Sequence, residues 1–540
     1  MVPVRGGALK SPSAVHSLSS PSRLGFDPPA PSLATQAFPA ASVGLATAVA
    51  LALRVFLLGH QSLWVDEYLT WHTAFVGTPM TWADVLHNDH GPLLQVILHL
   101  WTGLVGDSEF SLRLPSAIAT TALVPVFAAL AARLLGVGMA GPAAWMAALS
   151  PFLVWYGQEA RNYALAMLFA TLAALAAWDW HERGEARQGV WFVLWAWLGL
   201  LSNLNVAIVL PLLLAWVALP HSGRRGLWKG AVLAVAAIAL LEAPWAITYA
   251  RGVILYSRLA PLSPVQPANT TIREGTIFSW GAFPFTFSAF SVGYSFGPSL
   301  LELHEKSPLA VALRYLPELL PAAIVFAVLA VAGVRALARD RARLFFCGGL
   351  VLLPLLFVTY FSLRNFKVFN PRYISSGIAG YYLVLLAGWG SFSPATRRVL
   401  AVIVLVLWTW SLGNHYFAPS HAKEDYRGAT AWLAPRVQAK DQLIGAGSPA
   451  MLEYYWRGHA PAHDSFWLGL AADSAHMVAE FDSLRDEQKT SYVLVSRPYA
   501  FDPRGRFESF LSRTPGVERT GFHGVTVYRL PAGVPAGGAP

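Results

Sequence analysis

Charge is what this chain has least of. Asp, Glu, Lys and Arg make up 13% of its 540 residues, roughly half the share of about 25% found in soluble domains. With 55% hydrophobic residues and a mean hydropathy of +0.46, the deficit excludes an ordinary soluble globule and points to a polytopic membrane protein. Cysteine is nearly absent. The single Cys347 rules out an intramolecular disulfide and any cysteine-based metal cluster, and its apolar surroundings predict a buried, unreactive thiol. No glycine-rich nucleotide motif and no internal repeat is present. Residues 1–40 hold no apolar run. Rich in Pro, Ser and Ala, they are expected to form a disordered cytoplasmic N-terminus. A cleaved leader is not expected, because the first apolar stretch begins only near Ala41.

What the chain has instead is a series of apolar runs. They lie at about 41–59, 113–135, 139–155, 160–178, 190–203, 205–219, 228–249, 317–337, 344–361, 373–391 and 397–413, which predicts about eleven spans. The 21 tryptophans suit interfacial belts, where an amphipathic ring meets lipid headgroups. A net charge of +9 would suit nucleic acid, but the basic residues sit in short loops between apolar runs, so no nucleic-acid partner is expected. Placing the N-terminus in the cytoplasm puts the clusters near Arg133, Arg183 to Arg187, Arg224 to Lys229, Arg335 to Arg343 and Arg397-Arg398 on one side. The 60–112 loop, the 250–316 loop, the turn around Glu159, the 362–372 loop and everything after Asn414 then lie on the other side of a plasma (inner) membrane. Counting the short run Leu93 to Val105 as a span would break this pattern. That run, Asp66 to Val76 and Trp82 to Asn88 are therefore predicted as juxtamembrane amphipathic helices.

The expected organisation is a membrane domain over 41–414, a small extracytoplasmic α/β domain over 415–530 and a disordered tail over 531–540. In the second domain the pattern predicts helices at 423–433, 477–487 and 504–513, with strands at 443–446, 491–496 and 523–530.

Chemistry-bearing residues collect in the outside loops. A carboxylate in hydrocarbon costs about 2.5–3.5 kcal/mol even on a lenient scale, so the pair Asp66-Glu67 belongs in water, in a cavity or on a metal. Such a pair can act as a general base for an acceptor nucleophile. The plainer alternative is acidic complementation of a helix N-terminus. Glu159 and Arg161, within Gln158 to Tyr163, sit at headgroup level, where an arginine can clamp a phosphate. Arg364, Lys367 and Arg372 form a basic cluster on the side where topology disfavours one, and an anionic lipid phosphate would account for it. His87 and His90 flank Asn88-Asp89. His90, with Asp66, is a candidate divalent-metal ligand, although the spacing matches no zinc signature. Glu242 is an acid inside a span, and Asn269-Thr270-Thr271 is a glycosylation sequon.

Several motifs in order carry a resemblance. They are Trp64 to Glu67, His90-Gly91-Pro92-Leu93, Gly106 to Pro115, Tyr156 to Tyr163 and Pro371-Arg372-Tyr373, followed by an outside α/β domain. Over roughly 45–460 the chain resembles the GT-C class of polytopic glycosyltransferases. It is most similar to the bacterial protein O-mannosyltransferase branch (glycosyltransferase family 39-like), which includes the aminoarabinose transferases of lipid A. The resemblance implies an undecaprenyl- or dolichyl-phosphate-linked sugar donor, a lipid, glycan or protein acceptor, and inverting hexosyl or pentosyl transfer on the non-cytoplasmic face. It implies Asp66 as base or metal-associated carboxylate, Glu67 as its neighbour and Glu159 as the second acid. Arg161, Lys367 and Arg372 become the donor-phosphate ligands. Many relatives have His-Pro-Pro where this chain has His90-Gly91-Pro92, and glycine is expected to loosen that turn. The N-terminal extension is not a family feature. The rival classes are a transporter or flippase of lipid-linked sugars, which would want charged mid-bilayer helices in repeats, and a non-catalytic membrane scaffold. Neither explains why the acids and cations gather at the outer rim.

Overall fold

A computed structural model describes residues 37–75, 91–221, 226–259, 278–364, 369–447, 451–457, 459, 466–468, 474–502 and 504–535. Each of the eleven apolar runs is helical: Ala40–Val55, Glu109–Leu135, Ala140–Leu149 with Pro151–Gly157, Tyr163–Arg183, Ala186–Ser202, Leu210–Ala218, Trp228–Leu259, Leu316–Leu337, Arg341–Leu363, Ile378–Ser391 and Pro394–Phe417. Among the described residues six helices are long and apolar enough to cross a membrane, and seven if the bent pair counts as one span. Local chemistry sets their ends. Ser108 caps Glu109–Leu135 by accepting from the Ser111 N–H, and Asp340 caps Arg341–Leu363 through the Ala342 and Arg343 N–H groups.

Pro151, which has no N–H to give, breaks the third run, and its two halves meet at 55°. The carbonyls freed at the break are met by Arg54. Its guanidinium is fully buried and donates to the Ala147 and Ala148 oxygens at 3.0 Å and to Thr120 at 2.9 Å. Leu316–Leu337 and Ile378–Ser391 cross with their backbones touching. A Cβ on Gly333 would lie 1.9 Å from the Val384 oxygen, and one on Gly388 would lie 1.9 Å from the Leu329 oxygen. Small residues permit such a crossing. Cys347 is buried, as predicted.

The first loop carries helices Val65–Phe75 and Leu93–Val105, close to the predicted bounds, while the predicted helix 82–88 falls outside the described residues. The last long helix runs to Phe417, so the second domain starts a few residues later than predicted. That domain is a five-stranded mixed sheet in the order β2-β1-β3-β5-β4, formed by Gln442–Ala446 (β1), Phe466–Leu468 (β2), Ser491–Ser496 (β3), Glu518–Phe522 (β4) and Val525–Leu530 (β5). β1 and β3 are parallel, with Ile444 opposite Val493; β3 and β5 are antiparallel, with Val493 opposite Tyr528. Every residue of β1 and β3 is buried, as interior strands require. Helices Tyr426–Leu433, Ser474–Leu484 and Arg506–Ser512 answer the three predicted ones. The predicted single strand 523–530 is instead the second arm of a hairpin, turning at His523-Gly524. Gly524 supplies the positive φ of 67° that the turn needs.

The two domains are joined by charge as well as by chain. Arg427 donates to Glu109 at 2.5 Å and to the Gly59 oxygen at 3.0 Å. Arg457 pairs with Asp107 at 2.5 Å, and the Tyr455 hydroxyl accepts the Leu63 N–H at 2.6 Å.

Candidate active site

A cavity of about 1190 Å³ lies where the first-loop helix, several of the long apolar helices and the second domain converge. Its lining includes the charged Asp66, Glu159, Arg372 and Lys423 and many apolar residues, among them Phe285, Phe326, Ala327 and Ala330.

The acidic pair splits by the geometry of its helix. Successive residues of Val65–Phe75 point about 100° apart, so Asp66 and Glu67 cannot share an environment. Asp66 faces the cavity, and its Oδ2 accepts from Arg372 at 2.7 Å. Glu67 turns into the protein and is fully buried. Arg113 grips it bidentately, 2.8 Å to each oxygen; Lys423 adds a bond at 3.0 Å and the Ala160 N–H one at 2.9 Å. Burial alone would raise the Glu67 pKa, but Arg113 and Lys423 hold it down at about 2. The neighbour of the expected base is thus a permanently ionised anchor that does not line the cavity.

Glu159 is brought to the cavity by the turn between Pro151–Gly157 and Tyr163–Arg183. Gln158 pins that turn by donating to the Phe56 oxygen at 2.7 Å and contacting His415 at 2.7 Å. The Glu159 carboxylate is 3% exposed and lies 3.9 Å from the Lys423 ammonium. Burial is the largest influence on it. With help from the Glu67 and Asp66 charges, burial outweighs Lys423 and pushes its pKa up to about 7. Lys423, buried among these charges, has its pKa lowered, by burial first.

The predicted phosphate ligands separate. Arg372 lines the cavity with its guanidinium over the Tyr373 ring at 5.2 Å, and Asn370 caps its turn by accepting the Arg372 N–H. Arg161 is buried behind Asp66. It donates to the Asp66 backbone oxygen and to Thr70, each at 2.9 Å, and braces the helix carrying Asp66 rather than facing the cavity. Lys367, His87 and His90 lie outside the described residues, while Arg364 is exposed. Glu242 is buried in its helix, and among the described residues neither of its oxygens has a hydrogen-bond partner. Among the described residues no three His, Cys, Asp or Glu side chains come together as a metal-holding group. The acids lining the cavity are Asp66, already held by Arg372, Glu159, and Glu424, already held by Arg497. They do not make a ligand set by themselves.

Gly91 reverses one expectation. Its φ is 92°, and a Cβ there would lie 2.5 Å from the Ser202 oxygen. Glycine does not loosen this turn; it permits a close approach that proline, fixed near −65°, could not adopt.

Lys423 and Arg113 escaped the sequence reading. Arg113 sits in a quoted motif, Gly106 to Pro115, yet nothing local tells that it reaches Glu67. Lys423 read as the start of a polar helix, and its partner Glu67 lies 356 positions away in sequence.

The model of the family described as dolichyl-phosphate-mannose-protein mannosyltransferase matches residues 89–247. That stretch includes Glu159 and Arg161. No curated protein matches the sequence. Among solved structures, ArnT from Cupriavidus metallidurans in the apo state is 15% identical, with a TM-score of 0.54 over 91% of this chain and 98% of that one. The same protein bound to undecaprenyl phosphate is 15% identical, with a TM-score of 0.53 over 92% of this chain and 99% of that one. The resemblance drawn from the motifs is borne out: the chain has the helical fold of the GT-C glycosyltransferases, completed by a small C-terminal sheet.

Proposed function

We propose that this chain is an integral-membrane glycosyltransferase. It moves a sugar from a polyprenyl-phosphate-linked donor to an acceptor on the non-cytoplasmic face. The observation that carries the reading is the Asp66–Arg372 pair at the head of a long apolar cavity. A charged end and a greasy slot are what a phosphorylated isoprenoid requires, and the fold is that of ArnT, whose structure is known with undecaprenyl phosphate bound.

The donor phosphate competes with Asp66 for Arg372. Once Arg372 turns to the phosphate, the Asp66 carboxylate is free to take the proton of an acceptor hydroxyl or amine. The acceptor atom forms a bond to the anomeric carbon as the carbon–oxygen bond to phosphate breaks, with inversion. The charge developing on the leaving phosphate falls on Arg372. Glu159, neutral about half the time near pH 7, spares the site a third full negative charge. Arg161 serves as a brace for Asp66 rather than as a phosphate ligand.

The same reading sets the topology: about eleven spans in the plasma (inner) membrane, the N-terminus cytoplasmic and residues from Ala418 onward extracytoplasmic. A transporter would have Glu242 as its sole intramembrane acid among the described residues, which does not favour that class. The test is direct. Full-length protein in nanodiscs should consume labelled undecaprenyl-phosphate hexose and release undecaprenyl phosphate, and a deletion strain should lose one envelope glycoform. An intact donor together with an unchanged glycolipid and glycoprotein profile would overturn the reading.

A further inference from the structure

The second domain does more than cap the membrane domain: three of its side chains and its linker line the cavity. Arg497 and Tyr499 come from the segment after β3, His523 from the β4–β5 turn and Glu424 from the linker. Arg497 has a φ of 54°, a left-handed conformation rare for a residue with a Cβ. Such strain persists where the surrounding structure insists on aiming a side chain. Here the Arg497 guanidinium lies 5.6 Å over the Trp64 ring, and its Nε donates to Glu424 at 2.7 Å. Its two terminal nitrogens have no protein partner among the described residues, nor has the Tyr499 hydroxyl. Glu424 packs against the β4–β5 turn, where a Cβ on Gly524 would lie 2.7 Å from its Cγ and the next residue's N–H donates to the His523 oxygen at 2.8 Å. Tyr499 stacks on His304 at 4.8 Å, which ties this wall to the membrane domain.

We infer that this wall is an acceptor subsite for a saccharide, with Arg497, Glu424, Tyr499 and His523 as its hydrogen-bonding groups. The inference rests on the glycosyltransferase reading. Unspent donors and a carboxylate beside aromatic faces are what vicinal hydroxyls and the C–H face of a sugar ring need. The cation is matched by a carboxylate, so the wall supplies directional bonds without a net field. A peptide would want a strand edge to extend, and among the described residues none of the cavity-lining side chains of this domain comes from a strand.

The test uses the full-length protein in nanodiscs with labelled undecaprenyl-phosphate hexose and two acceptor fractions from the host envelope, glycolipid and protein. Label should enter the glycolipid fraction. Tyr499→Phe should raise the apparent KM for that fraction several-fold and Arg497→Ala about tenfold, with the donor KM within twofold and the thermal midpoint of Tyr499→Phe unchanged. Label in protease-sensitive material, or an acceptor KM indifferent to both substitutions, overturns the subsite and leaves the glycosyltransferase reading standing. A donor left intact by the wild type in both arms overturns the two together.

Discussion

The Arg372 guanidinium lies 2.7 Å from the Asp66 carboxylate, across 306 positions of sequence. A base for the acceptor and a cation for the leaving phosphate would be expected on opposite sides of the anomeric carbon. Instead they hold one another. In the proposed reading, the ion pair with Arg372 offsets the charge of the base until donor arrives. Donor binding is then the event that arms it.

Asp66→Asn keeps the shape of the side chain and removes its basicity. Sugar transfer should fall by about 10²–10⁴-fold, while undecaprenyl phosphate binds at least as tightly as before, since Arg372 is released from its partner. Transfer rate and lipid affinity, measured on the same preparation, check both halves. A variant with full transfer activity would remove Asp66 from the role of base.

Arg372→Ala deletes a charge-assisted contact worth about 1.5–3 kcal/mol. The donor KM should rise roughly 10- to 100-fold, and kcat should drop as well because the leaving charge is less well met. Arg372→Lys should recover part of the loss. A donor KM within twofold of wild type would place the phosphate elsewhere.

Breaking the Glu67–Arg113 pair should damage the fold rather than the chemistry. Removing one partner of a buried pair costs about 3–5 kcal/mol, so Glu67→Ala and Arg113→Ala should each lower the thermal midpoint in detergent. The double variant should be less destabilised than the two losses added. Simple additivity would mean that the pair is not coupled in solution.

Glu159 sets a pH dependence whose sign is opposite to that of Glu67. With its pKa pushed up to about 7 from 4.5, the folded chain holds this proton between pH 7 and 4.5, where the unfolded chain has released it. Stability relative to a Glu159→Gln variant should therefore rise as pH falls from 8 to 5, by on the order of a few kcal/mol. Glu67, held at about 2, contributes stability above pH 4.5 and loses it as pH falls toward 2. Thermal midpoints of wild type and Glu159→Gln from pH 5 to 8 decide the first claim, and a constant gap between them would refute it.

Much of this was readable in the chain. The helices came from runs of apolar residues, which need no partner to be recognised. Asp66, Glu159 and Arg372 were marked because each is a charge where lipid or topology disfavours one. What could not be read was direction. Asp66 and Glu67 are adjacent letters, and only the helix phase against Arg113 and Ala160 separates a cavity-facing carboxylate from a buried one. Arg161 and Arg372 look equally placed to meet a phosphate, yet one faces the back of Asp66 and the other its carboxylate. Lys423 and Arg497 owe their importance to partners hundreds of positions away or to a backbone angle, and no spacing pattern records either. The β4–β5 hairpin left a single trace, Gly524, which read as the start of a strand.

Lys423 also bears on modularity. It belongs to the linker of the second domain, yet its ammonium lies inside the membrane domain's charge cluster, 3.0 Å from Glu67. A chain cut after Phe417 would keep every apolar run and still lose a cation from the centre of the site. Withdrawing the linker would leave Glu67 to Arg113 and the Ala160 N–H, and would take the nearby ammonium from Glu159. The membrane helices and the second domain's linker thus build one charge cluster, and neither supplies it alone.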